Sequence, residues 1–135
     1  MALLTWDSSY SVGVQSLDRQ HTNLFDILNE LHAAMMAGQA SEAAGELLRK
    51  LVSYTKSHFA AEEALMAATQ YPRLAQHREL HAALTRQVEE FVARYDRGES
   101  ALSVPLLTFL RDWLTKHIQR EDREYGPWMN EKGKY

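Results

Sequence analysis

Apolar residues recur at steps of three and four along four stretches of the chain. The first, about Leu17 to Ala37, carries His21, Leu24, Phe25, Leu28, Leu31 and Met35 on one stripe. The second, about Glu42 to Ala67, carries Leu47, Leu51, Thr55, His58, Glu62 and Leu65. The third, about Pro72 to Tyr95, has Leu74, His77, His81, Leu84, Val88, Phe91 and Tyr95, and the fourth, about Val104 to Tyr125, has Leu107, Leu110, Leu114 and His117. All four have the period of an amphipathic helix, and none sustains the alternation of a strand. Gly38, Pro72, Gly98 and the Gly126-Pro127 pair separate them. Ser41 and Ser103 suit N-caps, and Pro72 and Pro105 suit first-turn positions. Long helices joined by short turns predict an all-α domain, an up-down-up-down antiparallel four-helix bundle over residues 17–125. The first 16 residues instead alternate through Trp6, Tyr10, Val12 and Val14 and are interrupted by Ser8, Ser9 and Gly13, which predicts an N-terminal arm packed on the bundle. Residues 126–135 are expected to form a short C-terminal tail, so that 1–135 make one domain.

Composition narrows the chemistry. The chain has 135 residues, with 15 Lys and Arg against 18 Asp and Glu and a formal charge of -3, so it lacks the basic surface that nucleic acids or anionic membranes require. It has no Cys, which excludes disulfides, iron–sulfur clusters, thiolate zinc and a Cys nucleophile. A metal could be held only by His and carboxylates. The longest runs without a charged residue have 11 residues, too short to span a bilayer. The N-terminus does not read as a secretory signal, and a soluble cytoplasmic protein is expected.

The inward stripes carry groups that seldom face a core. His21, His58, Glu62, His77, His81 and His117 all lie on them, and ionised groups sit there mainly when paired or bound to metal. His58/Glu62 and His77/His81 are i,i+4 pairs, so each projects from one helix face. Their heights agree as well. His21 precedes Gly38 by 17 residues, His58 follows Ser41 by 17, His81 precedes Gly98 by 17 and His117 follows Ser100 by 17. With about 1.5 Å of rise per residue, the four helices bring these groups to nearly one level. His32 lies about 16 Å further along its helix than His21 and is expected to be structural. Five imidazoles and one or two carboxylates exceed the needs of one tetrahedral zinc. They suit two metals bridged by carboxylates, with iron favoured by the mixed donor set. The Glu-x-x-His pairs of carboxylate-rich di-iron bundles are missing, because none of Glu62, Glu63, Glu121 or Glu124 has a His three residues on.

These residues resemble the hemerythrin family, single-domain bacteriohemerythrins in particular. The pattern comprises His21, His58-Phe59-Ala60-Ala61-Glu62, His77-Arg78-Glu79-Leu80-His81 and His117-Ile118-Gln119-Arg120-Glu121-Asp122, together with the Trp6 to His21 stretch. The resemblance implies that His77, His81 and His117 bind one iron and that His21 and His58 bind the other. Glu62 and Asp122 would bridge the two Fe2+/Fe3+ ions with an oxo or hydroxo group. Plain helix geometry selects Glu121, at i+4 from His117, rather than Asp122 at i+5. Following the family pattern therefore requires a local widening of the helix such as a π-bulge. The resemblance also places Leu24, Phe59, Trp113, Leu114 and Ile118 around an O2 pocket at the open, five-coordinate iron.

The expected function is reversible O2 binding by a non-enzymatic carrier or store, with O2 held as hydroperoxide on that iron. Transfer of two electrons from the irons and the bridge proton to O2 leaves the buried site's net charge unchanged, which a low-dielectric interior favours. Two alternatives remain at this stage: a di-iron enzyme that reduces peroxide or nitric oxide, and an O2-sensing interaction module. The protein that receives the O2 is not legible in the chain.

Overall fold

The computed structural model describes residues 3–36, 42–98 and 104–135. Helix α1 spans Gln15–Met36, α2 Glu42–Ala68, α3 Leu74–Asp96 and α4 Val104–Lys116. A π-helical segment, His117–Asp122, then joins α4 directly to α5, Arg123–Glu131. Contacts between side chains show the antiparallel arrangement. Going up α2, Arg49, Lys56 and Glu63 pair with Asp96, Glu89 and Arg78 going down α3. Likewise Asn23 on α1 meets Tyr54 on α2, while His58 reaches back to Gln20. The four-helix bundle is therefore up-down-up-down, as its periodicity predicts.

The core forms where the stripes meet. Leu17, Leu24, Phe25, Leu28 and Leu31 of α1 are buried with Leu48 and Leu51 of α2 and Leu107, Leu110 and Leu114 of α4. Each such side chain contributes roughly 1.5–3 kcal/mol on burial. On α2 the deepest apolar side chains are Leu48 and Met66, with the predicted Leu47 and Leu65 half-buried beside them.

The arm lies on this core. Asn29 holds Leu4 at both backbone groups, each at 2.8 Å, while Trp6 and Tyr10 pack their rings on Phe25. Asp18 accepts from Ser11 Oγ at 2.6 Å and from the Val12 amide at 2.8 Å, fixing the entry into α1.

The C-terminal end differs from the sequence expectation. Residues from 126 onward do not form a tail: α5 passes through Gly126 and Pro127 to Glu131 and buries Tyr125, Gly126 and Met129. Proline costs one intrahelical hydrogen bond here, but burial of Tyr125 and Met129 on either side holds the helix together. Gly126 is required because a Cβ there would lie 2.0 Å from the Val12 carbonyl oxygen of the arm.

The turns also sharpen the prediction. Pro72 lies in the turn before α3, whose N-cap is Arg73, and not in its first helical turn. Pro105 is in the first turn of α4. Gly38, Ser41 and Ser103 lie outside the described residues. Gly98 closes α3 at φ +74°, whereas α2 closes through Gln70 at φ 57°. Tyr71 N donates to Met66 O and Gln70 N to Ala67 O, a Schellman ending with glutamine in the left-handed position.

Candidate metal centre

All five stripe imidazoles reach one buried point. His21, His58, His77, His81 and His117 each aim Nε2 at a carboxylate oxygen of Glu62 or Asp122. His58 Nε2 and His81 Nε2 lie 3.1 and 3.4 Å from Glu62 Oε1. His77 Nε2 and His117 Nε2 lie 3.0 and 3.1 Å from Asp122 Oδ1, and His21 Nε2 lies 3.1 Å from Asp122 Oδ2. The imidazoles fall into two sets. His21 and His58 have ring centres 4.5 Å apart; His77 lies 4.5 Å from His81 and 5.2 Å from His117. Their ligand atoms form two overlapping clusters, one of Glu62, His77, His81, His117 and Asp122, the other of His21, His58, Glu62 and Asp122, each within 4.8 Å. Both contain both carboxylates. His32 belongs to neither and is half-buried elsewhere on α1.

The conflict at the end of α4 is resolved by the backbone. From His117 to Asp122 the chain winds as a π-helix, and Arg123 N donates to Ile118 O, five residues back. This wider turn brings Asp122 to the face that Glu121 would occupy in a regular helix. Asp122 has no exposed surface, and Glu121 is half-buried outside the centre.

The electrostatics describe a site short of positive charge. Burial pushes the Asp122 carboxyl up, as does the Glu62 charge, but His117 and His21 more than reverse this and hold it below its ordinary value. Burial likewise raises Glu62, and His58, His21 and His81 carry it well below the usual carboxylate range. Burial lowers the His21 imidazole, yet the Asp122 and Glu62 carboxylates facing it lift it to about 9. His117 is raised against its burial in the same way, chiefly by Asp122. Two buried carboxylates thus stay ionised and favour cationic charge on His21 and His117.

Hydrogen bonds do not complete the centre. His21 Nε2, His81 Nε2, His117 Nε2, Glu62 Oε1 and Asp122 Oδ2 are buried without a hydrogen-bond partner, and all face inward. Unmet groups at this density are costly unless something else binds them. Nitrogen and carboxylate donors at this ratio fit first-row metal ions, so the residues present are suited to a metal site.

Three groups around the centre were not singled out by stripe geometry. Gln20 Oε1 lies 2.7 Å from His58 Nδ1, Glu63 Oε2 lies 2.9 Å from His81 Nδ1, and the Tyr125 hydroxyl donates to Glu62 Oε2. Gln20 and Glu63 are each next to a cluster residue in sequence, and Tyr125 is one turn beyond Asp122. Those adjacencies were the available signal. Beside the centre an apolar cavity of about 10 Å³ (the room open to a water's centre) is walled by Leu24, Leu28, Leu51, Thr55, Val88, Leu110, Trp113 and Leu114. Phe59 and Ile118, expected at a pocket, do not line this cavity. Phe59 stacks flat on His81 at 3.7 Å, and Ile118 is fully buried within the π segment.

A helical bundle whose four helices converge on five histidines and two carboxylates defines a class, and the sequence comparison agrees with it. The chain belongs to the hemerythrin family: the Hemerythrin HHE cation binding domain matches residues 12–129. It is 39 % identical over 126 residues to a bacteriohemerythrin of Stenotrophomonas maltophilia (strain R551-3), covering 93 % of this chain and 81 % of that one. It is 34 % identical over 131 residues to the bacteriohemerythrin of Methylococcus capsulatus (strain ATCC 33009 / NCIMB 11132 / Bath), covering 96 % and 99 %. The crystal structure of a wild-type hemerythrin superposes with a TM-score of 0.89 at 33 % identity, covering 95 % of this chain and 98 % of that one. No helix among the described residues is long and apolar enough to cross a membrane.

Proposed function

We propose that the protein binds O2 reversibly at a non-haem di-iron centre, as a carrier or store rather than an enzyme. The observation that carries this reading is the pair of clusters sharing Glu62 and Asp122 beside a small apolar cavity. His77, His81 and His117 would hold one iron and His21 and His58 the other, with Glu62 and Asp122 within reach of both sets. Iron bound there would supply the reversible two-electron chemistry that O2 binding needs.

The surrounding residues decide that the exchange is reversible. Leu24, Leu28, Leu51, Leu110 and Leu114 exclude water from the cavity, and no acid lines it. The hydroxyl of Thr55, which also lines it, is engaged with Leu51 O at 2.6 Å. A wall without an acidic group keeps an outside proton from releasing reduced oxygen and leaving the irons oxidised. The cavity is on the scale of a single small molecule, since about 10–15 Å³ by this measure just admits one water.

The test is optical. Reduced, iron-loaded protein is expected to gain a visible absorption band on exposure to O2 and to lose it when O2 is removed, over repeated cycles. A single irreversible oxidation, or sustained O2 consumption with a reductant, would refute the carrier reading.

A further inference from the structure

The two halves of the centre differ in what stands behind them. On the three-histidine side, His81 Nδ1 meets Glu63 Oε2 at 2.9 Å, and Arg78 Nε lies 3.3 Å from the other Glu63 oxygen. On the two-histidine side, His58 Nδ1 meets the neutral amide oxygen of Gln20 at 2.7 Å, and His21 Nδ1 is buried with no partner. With Nε2 of each ring directed inward, Nδ1 carries the proton and donates it. An imidazole N–H given to a carboxylate makes the opposite nitrogen a stronger metal donor. A neutral amide oxygen does so less, because the hydrogen bond lacks charge assistance. An unpartnered N–H does not do so at all.

We propose that Glu63 is a positioning residue that makes the His77/His81/His117 position the stronger donor set, and that Gln20 keeps the His21/His58 position weaker. The two positions thus differ in outer hydrogen bonding as well as in histidine number. One ion is held firmly, while the other keeps a reserve of acceptor strength for an external ligand. Glu63 suits such a role because it is reachable: its side chain is 25 % exposed, on the wall of a surface groove between α2 and α3. Glutamine can replace it there with no change of volume.

This inference rests on the two-metal reading, and Co(II) alone tests both. Metal-free protein is loaded anaerobically, the bound ions are counted, and their removal by a chelator is followed through the visible absorption of bound Co(II). The parent should bind two ions and release them in a fast and a slow phase of one ion each. Glu63→Gln should speed the slow phase about tenfold or more and leave the fast phase unchanged. Gln20→Glu should slow the fast phase by a similar factor and leave the slow one unchanged. A purely structural role for either residue predicts no such gain. Fewer than two ions on the folded parent would overturn the two-metal reading and this inference with it. Two ions released at a single rate, or an unchanged slow phase in folded Glu63→Gln, would overturn this inference alone. Should Glu63→Gln fail to fold, an unchanged fast phase in Gln20→Glu is sufficient to overturn it.

Discussion

Tyr125→Phe isolates one hydrogen bond inside the centre. Tyr125 is fully buried, its ring lies 5.8 Å from that of His77, and its hydroxyl donates to Glu62 Oε2. The substitution removes one oxygen and leaves the ring in place, so apolar packing is retained. Glu62 Oε2 then has His21 Nε2 at 3.5 Å as its remaining neighbour. A hydrogen bond to a charged acceptor contributes about 1.5–3 kcal/mol. For a chain of this size 1 kcal/mol moves the thermal midpoint by about 3–5 °C, so the metal-free variant should melt about 5–15 °C below the parent. Burial, with the Glu62 and Asp122 charges, pushes the Tyr125 phenol well above its ordinary value. It therefore stays a neutral donor, and the deficit should be similar at pH 6 and pH 8. The assay is thermal denaturation followed by far-UV circular dichroism on metal-free parent and variant. A deficit below about 2 °C would show that the hydroxyl does not hold Glu62.

Four further outcomes are expected. Asp122→Ala should leave at most one iron per chain, while Glu121→Ala keeps two; metal analysis after anaerobic reconstitution decides, and the reverse pattern would refute the π-helical placement. In the metal-free protein His21 is raised from 6.5 to about 9, so its stabilising contribution is complete below about pH 6.5 and is lost as pH rises through 9. Urea denaturation across that range should show falling stability without metal and a weaker fall with iron bound. Gln70→Gly should add about 1 kcal/mol, because the left-handed backbone at φ 57° penalises a residue with a Cβ; an unchanged urea midpoint would refute it. Gly126→Ala should cost about 1–3 kcal/mol by forcing the arm from α5, and an unchanged melting midpoint would show the contact to be slack.

Much of this arrangement is legible in the residues because helices report themselves through a constant period. The same counting from turn to turn brought His21, His58, His77, His81 and His117 to one level. It was insufficient where the period changes. From His117, regular spacing selects Glu121, and only the resemblance to the family pointed to Asp122. The Gly126-Pro127 pair reads as a stop, yet α5 runs on because its buried face and the close approach of Val12 outweigh local propensity. Gln20 and Glu63 lie at the margins of their stripes, where a polar residue ordinarily means solvent. Their role depends on ring orientation, which spacing does not encode. Leu24, Trp113 and Leu114 share a cavity wall, whereas Phe59 stacks on His81 beside the α2–α3 groove and Ile118 lies elsewhere in the core. Such distinctions arise from side-chain direction within a shared stripe.

The π segment explains why the centre contains two carboxylates and a phenol. A regular helix continuing from His117 would present positions i+4 and i+7, Glu121 and Glu124, to the interior. The extra residue in the wide turn advances the register by one, so i+5 and i+8 face inward instead, Asp122 and Tyr125. Both of the displaced glutamates lie outside the centre: Glu121 is half-buried, and Glu124 is 48 % exposed and paired with Arg73 at 2.7 Å. Without the wide turn, Glu62 would share the interior with two further carboxylates and no hydroxyl donor. Three buried negative charges would repel one another strongly at low dielectric. With it, two carboxylates can each reach both histidine sets, and Tyr125 satisfies one Glu62 oxygen from the far side. A single irregularity of the backbone thus selects the charge, the donor set and the internal hydrogen bond of the metal centre together.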